Sequence, residues 1–336
     1  MNKQFSIGIL GAAKIAKRAV IEPAKQLEDV AVLGIAASDS VRAEKFAQEF
    51  DIPVVFPSYE ALVQSDRIDA VYIPLANHLH IPWILNAIHS RKPILVEKPI
   101  CLSLAEFDDI AAAVDFSGVP VLEAVMVQHH PWQSTIQEIV ETKRYGAIKS
   151  IRTQLTMQFP EAENQGNYRF SPEYGGGAFF DLGTYWLQFL QRCLGLQPEA
   201  ISAQARLNQP QGIDLEFDSQ LRFSNAAIAE FHCSFEEPFA ANHWVELEQA
   251  TITIRNFFRP LLGIQSMSLD IHHLDTGETE IIKFPAQSYY LNQLKFFLEV
   301  LKGNEPLIPL SQSRERVNLM EAIYQSAQRP VGGRCG

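Results

Sequence analysis

The chain of 336 residues carries 28 basic and 39 acidic side chains, a formal charge of −11, and is 47% hydrophobic. That length favours two domains on a prior of ~100–200 residues each, and that apolar fraction excludes a disordered chain. The negative balance argues against bulk binding to nucleic acid or an anionic membrane, while leaving room for a local basic pocket that takes a phosphate.

The amino terminus enters an apolar strand pattern at once, which leaves no room for a signal peptide. Strand patterns recur at 6–10, 30–36, 70–74, 93–97 and 119–125, with helical spacing between them at 15–27, 41–50, 81–90 and 104–114. Strand–helix alternation of this length predicts right-handed crossovers and a doubly wound parallel sheet. Residues 70–90 contain no Asp, Glu, Lys or Arg, yet Pro74, Asn77, His78, His80 and Pro82 interrupt them, unlike a membrane helix of ~20 apolar residues. After Gly146 the period changes to two: Ile151, Thr153, Leu155, Met157 and Phe159 alternate with polar neighbours, as do Leu215–Phe223 and Ala229–Phe235. Strands in series predict a mostly antiparallel sheet. Two late helices are expected at 290–301, closed by Gly303, and at 314–328, then a disordered tail at 331–336. The domains expected are therefore 1–123 and 124–330. Cys101, Cys193, Cys233 and Cys335 form no metal or redox motif, so a reducing, cytoplasmic setting is expected.

The first strand ends in Gly8-Ile-Leu-Gly11-Ala-Ala13-Lys14-Ile15-Ala16. A dinucleotide fingerprint needs a tight turn at Gly11, a small residue at Ala13 for backbone approach to pyrophosphate, and close packing at Ala16. A generic strand–turn–helix would read the same way. At the end of the second strand, Asp39 lies about 28 residues past Gly11, later than the ~20 usual for a ribose-binding acid, and suits a helix cap better. Ser38, Lys14 and Arg42 could together hold a 2′-phosphate, so the segment leans to NADP over NAD.

Three later segments carry chemistry. Pro74-Leu-Ala-Asn77-His78-Leu-His80 closes a strand where open α/β sheets bind ligands; its two histidines lack a third ligand at suitable spacing, so no metal is expected. Glu97-Lys98-Pro99 is either a charged surface turn or a lysine aimed at the cofactor crevice. Gly175-Gly-Gly-Ala178-Phe-Phe-Asp181-Leu-Gly-Thr-Tyr185 brings backbone close to backbone or ligand. If a helix starts near Ala178, Asp181 and Tyr185 share a face, for chemistry or for a buried Asp–Tyr hydrogen bond.

Together with Glu123-Ala-Val-Met126 and His130-Pro131, these motifs resemble the glucose–fructose oxidoreductase / inositol dehydrogenase / rhizopine catabolism family over nearly the whole chain. Gly11-Ala-Ala13 and Tyr185 resemble the branch of dihydrodiol dehydrogenases, xylose dehydrogenases and sugar-nucleotide ketoreductases; the inositol branch usually has His at the Tyr185 position. The resemblance implies an α/β fold, with an N-terminal Rossmann domain and a C-terminal α/β domain on an open, mostly antiparallel sheet. It implies NAD(P), with hydride transfer to or from a sugar-like alcohol or ketone between the domains, and a dimer or tetramer formed through the C-terminal sheet. Lys98 would orient the reacting oxygen, Tyr185 would exchange its proton, and Asp181 would orient or tune one of them. A tyrosine near its usual pKa of ~10 is a poor base at neutral pH, and a nearby ammonium corrects that. Gly11, Ala13, Lys14, Ile15, Ala16, Ser38, Arg42, Pro74, Asn77, His80, Glu97 and Lys98 are the expected cofactor contacts. Lys98, His130, Trp132, Arg169, Asp181 and Tyr185 are the expected substrate contacts. For His78 and His80 a structural role stays equally open, as does core filling for Trp132 and solvation for Arg169. Gln128 departs from the branch, which often has Arg there. The rival readings are a reductase or dehydrogenase of a dihydrodiol, imine or tetrapyrrole, and a non-catalytic NAD(P)-binding regulator. Lys98 counts against the biliverdin-reductase branch.

Overall fold

The computed structural model describes residues 4–160 and 166–327; the expected tail at 331–336, with Cys335, lies outside them. The chain divides into two compact units, Met1–Met126 with Tyr290–Arg314, and Val127–Tyr289 with Glu315–Gly336. The sequence expectation put the joint after residue 123 and the whole remainder in one domain. Here the change falls after Met126, and Tyr290–Arg314 belongs with the first unit. Charge and packing hold it there: Lys302 pairs with Asp29 at 2.5 Å, Arg314 with Asp108 at 3.1 Å, and the Arg18 guanidinium lies over the Tyr290 ring.

In the first unit, β1 (Phe5–Leu10), β2 (Val30–Ala36), β3 (Val54–Val55), β4 (Ala70–Ile73), β5 (Ile94–Glu97) and β6 (Val121–Ala124) pair in the order β3-β2-β1-β4-β5-β6. Every pairing is parallel. Strands β4 and β6 are buried at every residue, as strands covered on both faces must be. The order reverses between β1 and β4, and ligands of doubly wound sheets bind outside the carboxyl ends at that point.

The helix expected at 15–27 is instead a π-helical turn, Lys17–Ile21, running into a single turn α1 (Glu22–Ala24), where Pro23 has no N–H to donate. Helices α2 (Ser40–Phe50), α3 (Tyr59–Val63), α4 (His80–His89) and α5 (Leu104–Ser117) follow. Asp39 caps α2, accepting the Arg42 N–H at 3.1 Å, as its sequence position suggested. Neither the two-residue strand β3 nor α3 announces itself by periodicity, because both are too short to show one.

The second unit opens with α6 (Pro131–Glu141), then β7 (Ile148–Thr156) and α7 (Ala178–Cys193). Strands β8 (Ala200–Leu207), β9 (Asp214–Arg222), β10 (Ile228–Ser234), β11 (Ala240–Leu247), β12 (Ala250–Ile254), β13 (Met267–His273) and β14 (Thr279–Phe284) complete its sheet. The order is β14-β13-β12-β11-β7-β10-β9-β8, antiparallel except for the parallel pair β7–β10. Helix α7 packs on the inner face, with Phe179 stacked on Phe217 at 4.4 Å and Trp186 on Phe231 at 4.8 Å. Fourteen of its residues are buried, so α7 is a core helix rather than a surface one. The last described elements are α8 (Tyr289–Lys302) and α9 (Leu310–Ser326).

Candidate active site

At the end of β1 the backbone turns at Gly11, with φ 105° and its N–H donating to Ala36 O at 2.7 Å. A Cβ there would stand 2.8 Å from Leu75 Cδ2, so conformation and space both select glycine. The Ala16 N–H closes the turn on Ala13 O at 3.0 Å. Ala16 is fully buried, Ala13 and Ile15 are half-buried, and Lys14 is exposed. The Arg42 guanidinium donates to Ala12 O at 2.9 Å, which lays its charge against the same turn. Tyr59, at the start of α3, bonds with Ser38 and faces the Arg42 charge; burial raises its pKa against both. Sequence reasoning missed Tyr59, whose only signal was its place after the capping Ser58. Ser38 and Arg42 form a donor set with the Asp39 carboxylate engaged in capping α2, and this suits a phosphate monoester better than a ribose diol.

Pro74 and Asn77 are buried at the carboxyl end of β4, where Asn77 opens a 3₁₀ turn. His80 departs from the expected cofactor contact. Its ring is wholly buried, with Nδ1 2.8 Å from Pro99 O and Nε2 3.0 Å from Leu75 O, and burial takes its pKa down to about 4. Both nitrogens face backbone carbonyls, and the neutral ring donates its single N–H to one of them, so His80 is enclosed between the Leu75 and Pro99 segments rather than turned toward a ligand. His78 is half-buried, and its pKa is lowered by burial.

Lys98 is buried directly after β5 and precedes a cis peptide bond to Pro99. Its neighbours are gripped from several sides. Glu97 accepts the Tyr72 O–H at 2.6 Å, and burial raises its carboxyl pKa while Tyr72 and Lys98 oppose the rise. Glu123, on β6, accepts the Ile100 N–H at 3.0 Å and the Ser313 O–H at 2.7 Å. With His80 on the Pro99 carbonyl, these bonds hold the backbone around Lys98 in the first unit.

In the second unit the glycine run brings backbone to backbone. Gly176 and Gly177 donate to Ser171 O and Arg169 O, each at 3.0 Å. A Cβ on Gly176 would meet Arg169 O at 2.5 Å. This fold-back delivers Arg169 Nε to Asp181 Oδ2 at 2.8 Å. The Arg169 guanidinium also lies over the Tyr168 ring. Burial opposes its charge, but the charge and hydrogen bond of Asp181, with Tyr168 and Tyr185 nearby, together outweigh it and raise its pKa. Asp181 sits in the first turn of α7 and Tyr185 one turn later on the same face, both buried. Tyr185 packs edge-on against Phe258. Arg169 is thus bound to Asp181 rather than solvated.

His130 and Trp132 depart from the expected substrate contacts. His130 caps α6 through Nδ1, is buried against Phe284 and Tyr289, and its pKa falls to about 4 by burial. Trp132 is fully buried, donates its indole N–H to the Tyr289 hydroxyl at 2.7 Å and packs on Phe189. Pro131 starts α6 and turns both side chains into the core. Gln128 is buried as well. Among the described residues, Glu216, His232 and Glu237 place ligand atoms within 4.8 Å of one another, but both ring nitrogens of His232 are already on carboxylates.

Residues 5–125 match the oxidoreductase family with an NAD-binding Rossmann fold, and residues 134–253 match the GFO/IDH/MocA C-terminal domain. An uncharacterized oxidoreductase of Rhizobium meliloti is 30% identical over 332 residues, spanning 96% of each chain. The chain belongs to the GFO/IDH/MocA family. It is an NAD(P)-binding oxidoreductase, as the ordered motifs from Gly11 to Tyr185 implied. D-xylose 1-dehydrogenase (NADP(+)) 2 of Haloferax volcanii is 28% identical, spanning 96% of this chain and 97% of its own. The 3-ketoreductase KijD10 of Actinomadura kijaniata, solved with NADP and TDP-benzene, superposes with a TM-score of 0.88 at 24% identity, covering 96% of this chain and 98% of its own, and so shares the fold.

Proposed function

We propose that this oxidoreductase uses NADP and acts on a secondary alcohol or ketone of a sugar-like substrate. The observation that carries the reading is the pair of prepared side chains, Lys98 buried at the carboxyl end of β5 and Tyr185 one turn beyond an Arg169-bound Asp181. Gly11, Ala13, Ala16, Ser38, Arg42 and Tyr59 would hold the dinucleotide, which when bound supplies or accepts the hydride. Lys98 stabilises negative charge on the reacting oxygen. Tyr185 gives its hydroxyl proton to that oxygen in reduction and takes it back in oxidation. Asp181 fixes the Arg169 charge beside α7.

The sugar-like class is supported by relatives: the xylose dehydrogenase, and a dTDP-3,4-didehydro-2,6-dideoxy-alpha-D-glucose 3-reductase of Streptomyces antibioticus at 27% identity over 303 residues. A second reading, an aromatic diol substrate, is favoured by the mouse trans-1,2-dihydrobenzene-1,2-diol dehydrogenase, 25% identical over 304 residues. Following nicotinamide absorbance with NADPH and NADH against aldoses, sugar nucleotides and aromatic diols separates the two. General acid–base groups contribute about 10²–10⁴-fold, so Lys98→Ala and Tyr185→Phe should each cost turnover on that scale. Unchanged turnover in both variants would remove the proposed chemistry.

Self-association would use the outer sheet face of the second unit. A concavity of about 660 Å³ there is lined by Arg152, Gln154, His232 and Trp244, with the Arg152 guanidinium 4.3 Å over the Trp244 ring. Sedimentation of Trp244→Glu against the parent protein tests it: equal masses would rule this face out. No helix among the described residues is long and apolar enough to cross a membrane. Among the described residues the buried cysteines Cys101, Cys193 and Cys233 are in no disulfide, which suits a reducing cytoplasm.

A further inference from the structure

Helix α7 starts without a side-chain cap of its own. Its N-cap residue is Gly177, at φ 125°, and a glycine has nothing with which to satisfy the first-turn N–H groups. The acceptor comes from another element. Asp214, the first residue of β9, is fully buried and accepts the Phe179 N–H at 2.8 Å through Oδ2. Its Oδ1 accepts the Tyr324 O–H at 3.3 Å from α9. A Cβ on Gly177 would stand 2.4 Å from Asp214 Oδ1, so the third glycine of the run is what lets the carboxylate reach the helix end. The positive end of the helix dipole favours a negative group there, which offsets the cost of burying it.

We infer that Asp214 is a positioning residue for the reaction: by capping α7 from β9 it sets where Asp181 and Tyr185 leave the helix. Phe179, which donates the bond, precedes Asp181 by half a turn on a helix that turns every 3.6 residues. A change in the cap moves the first turn as a body, and with it the Asp181 carboxylate, its bond to Arg169 and the root of Tyr185. The Phe179 ring, stacked on Phe217 of β9, limits rotation, while the carboxylate limits sliding along the axis. The inference rests on the proposed role of Tyr185.

The test compares Asp214→Ala, Asp214→Asn, Asp214→Glu and Tyr185→Phe by kcat, KM, thermal midpoint and NADPH dissociation constant. The dinucleotide fingerprint lies in the other unit, so NADPH binding counts folded nucleotide units, and a cooperative thermal transition of parental amplitude is required of each variant to show that the second unit is folded as well. Asp214→Ala is expected to keep NADPH affinity and to lose about 10²-fold in kcat per NADPH-binding site, the scale of a ~1 Å misplacement. Asp214→Asn can still accept the Phe179 N–H and donate to the Tyr324 hydroxyl, and should recover kcat to within several-fold of the parent. Should Asp214→Ala fail to fold, Asp214→Glu decides: its extra methylene keeps the charge but displaces the helix end, so kcat per site should fall at least tenfold. Parental kcat per NADPH-binding site in whichever of the Ala and Glu variants folds overturns the inference and leaves Asp214 a stabilising residue only. An Asn variant as slow as the Ala variant overturns it too. Parental turnover in Tyr185→Phe overturns the reading of the site itself, and the inference with it.

Discussion

Arg42 and Asp39 divide two tasks within one short segment. The carboxylate is occupied in starting α2, and the guanidinium is left against the Gly11 turn. Arg42→Ala should therefore raise the KM for NADPH by roughly 10–100-fold, the worth of a hydrogen bond to a charged group, while the KM for NADH changes little. Steady-state kinetics with the two coenzymes checks it, and equal effects on both would locate the 2′-phosphate elsewhere. Arg169→Ala would leave Asp181 buried without its cation. Because Arg169 is partly exposed, the loss expected is about 1–3 kcal/mol, seen as a lower midpoint in denaturant. The spacing of Asp181 and Tyr185 was legible because a helical face follows from residue numbers alone. What His80, Trp132 and Arg169 touch was not, since their partners lie elsewhere in the chain: His80 on Pro99 and Leu75, Trp132 on Tyr289, Arg169 on Asp181. Asp214 had only the weak signal of an acid opening an alternating strand.

Among the elements, α7 and its glycine run show most clearly how local pattern and tertiary contact divide the work. The strands with period two and the helices with apolar faces could be read directly. The π-helical turn after Gly11 could not, because it depends on Pro23 and on packing rather than on periodicity. Gly176→Ala would drive a Cβ into the Arg169 carbonyl. It should cost about 1–3 kcal/mol, the range for overpacking, and depress turnover together with the Arg169–Asp181 bond. On the outer face of the sheet, His232 lies between Asp218 and Glu237. Burial lowers its pKa, but hydrogen bonds and charge from the two carboxylates outweigh it and the value is raised. Its stabilising contribution is present in full below the unfolded value near pH ~6.5 and fades as pH climbs through the folded value. Thermal midpoints of parent and His232→Gln should thus differ at pH 6 and converge in alkali; a gap independent of pH would refute the bridge.

For the whole molecule the balance of histidines has the opposite sign. Burial takes His80 and His130 down to about 4, and His129 and His243 down to about 3. Between about pH 4 and 6.5 the unfolded chain binds more protons at these sites than the folded one, so stability should fall as the solution is acidified. A thermal midpoint that holds from pH 7 to pH 5 would show that these rings are not buried neutral. The division of the chain also has a consequence for biogenesis. Residues 1–126 emerge from the ribosome first, but the partners Lys302 of Asp29, Ser313 of Glu123 and Arg314 of Asp108 are made only after the entire second sheet. The nucleotide unit must therefore wait, incomplete, through the synthesis of nearly two hundred further residues before it can close around its own last segment.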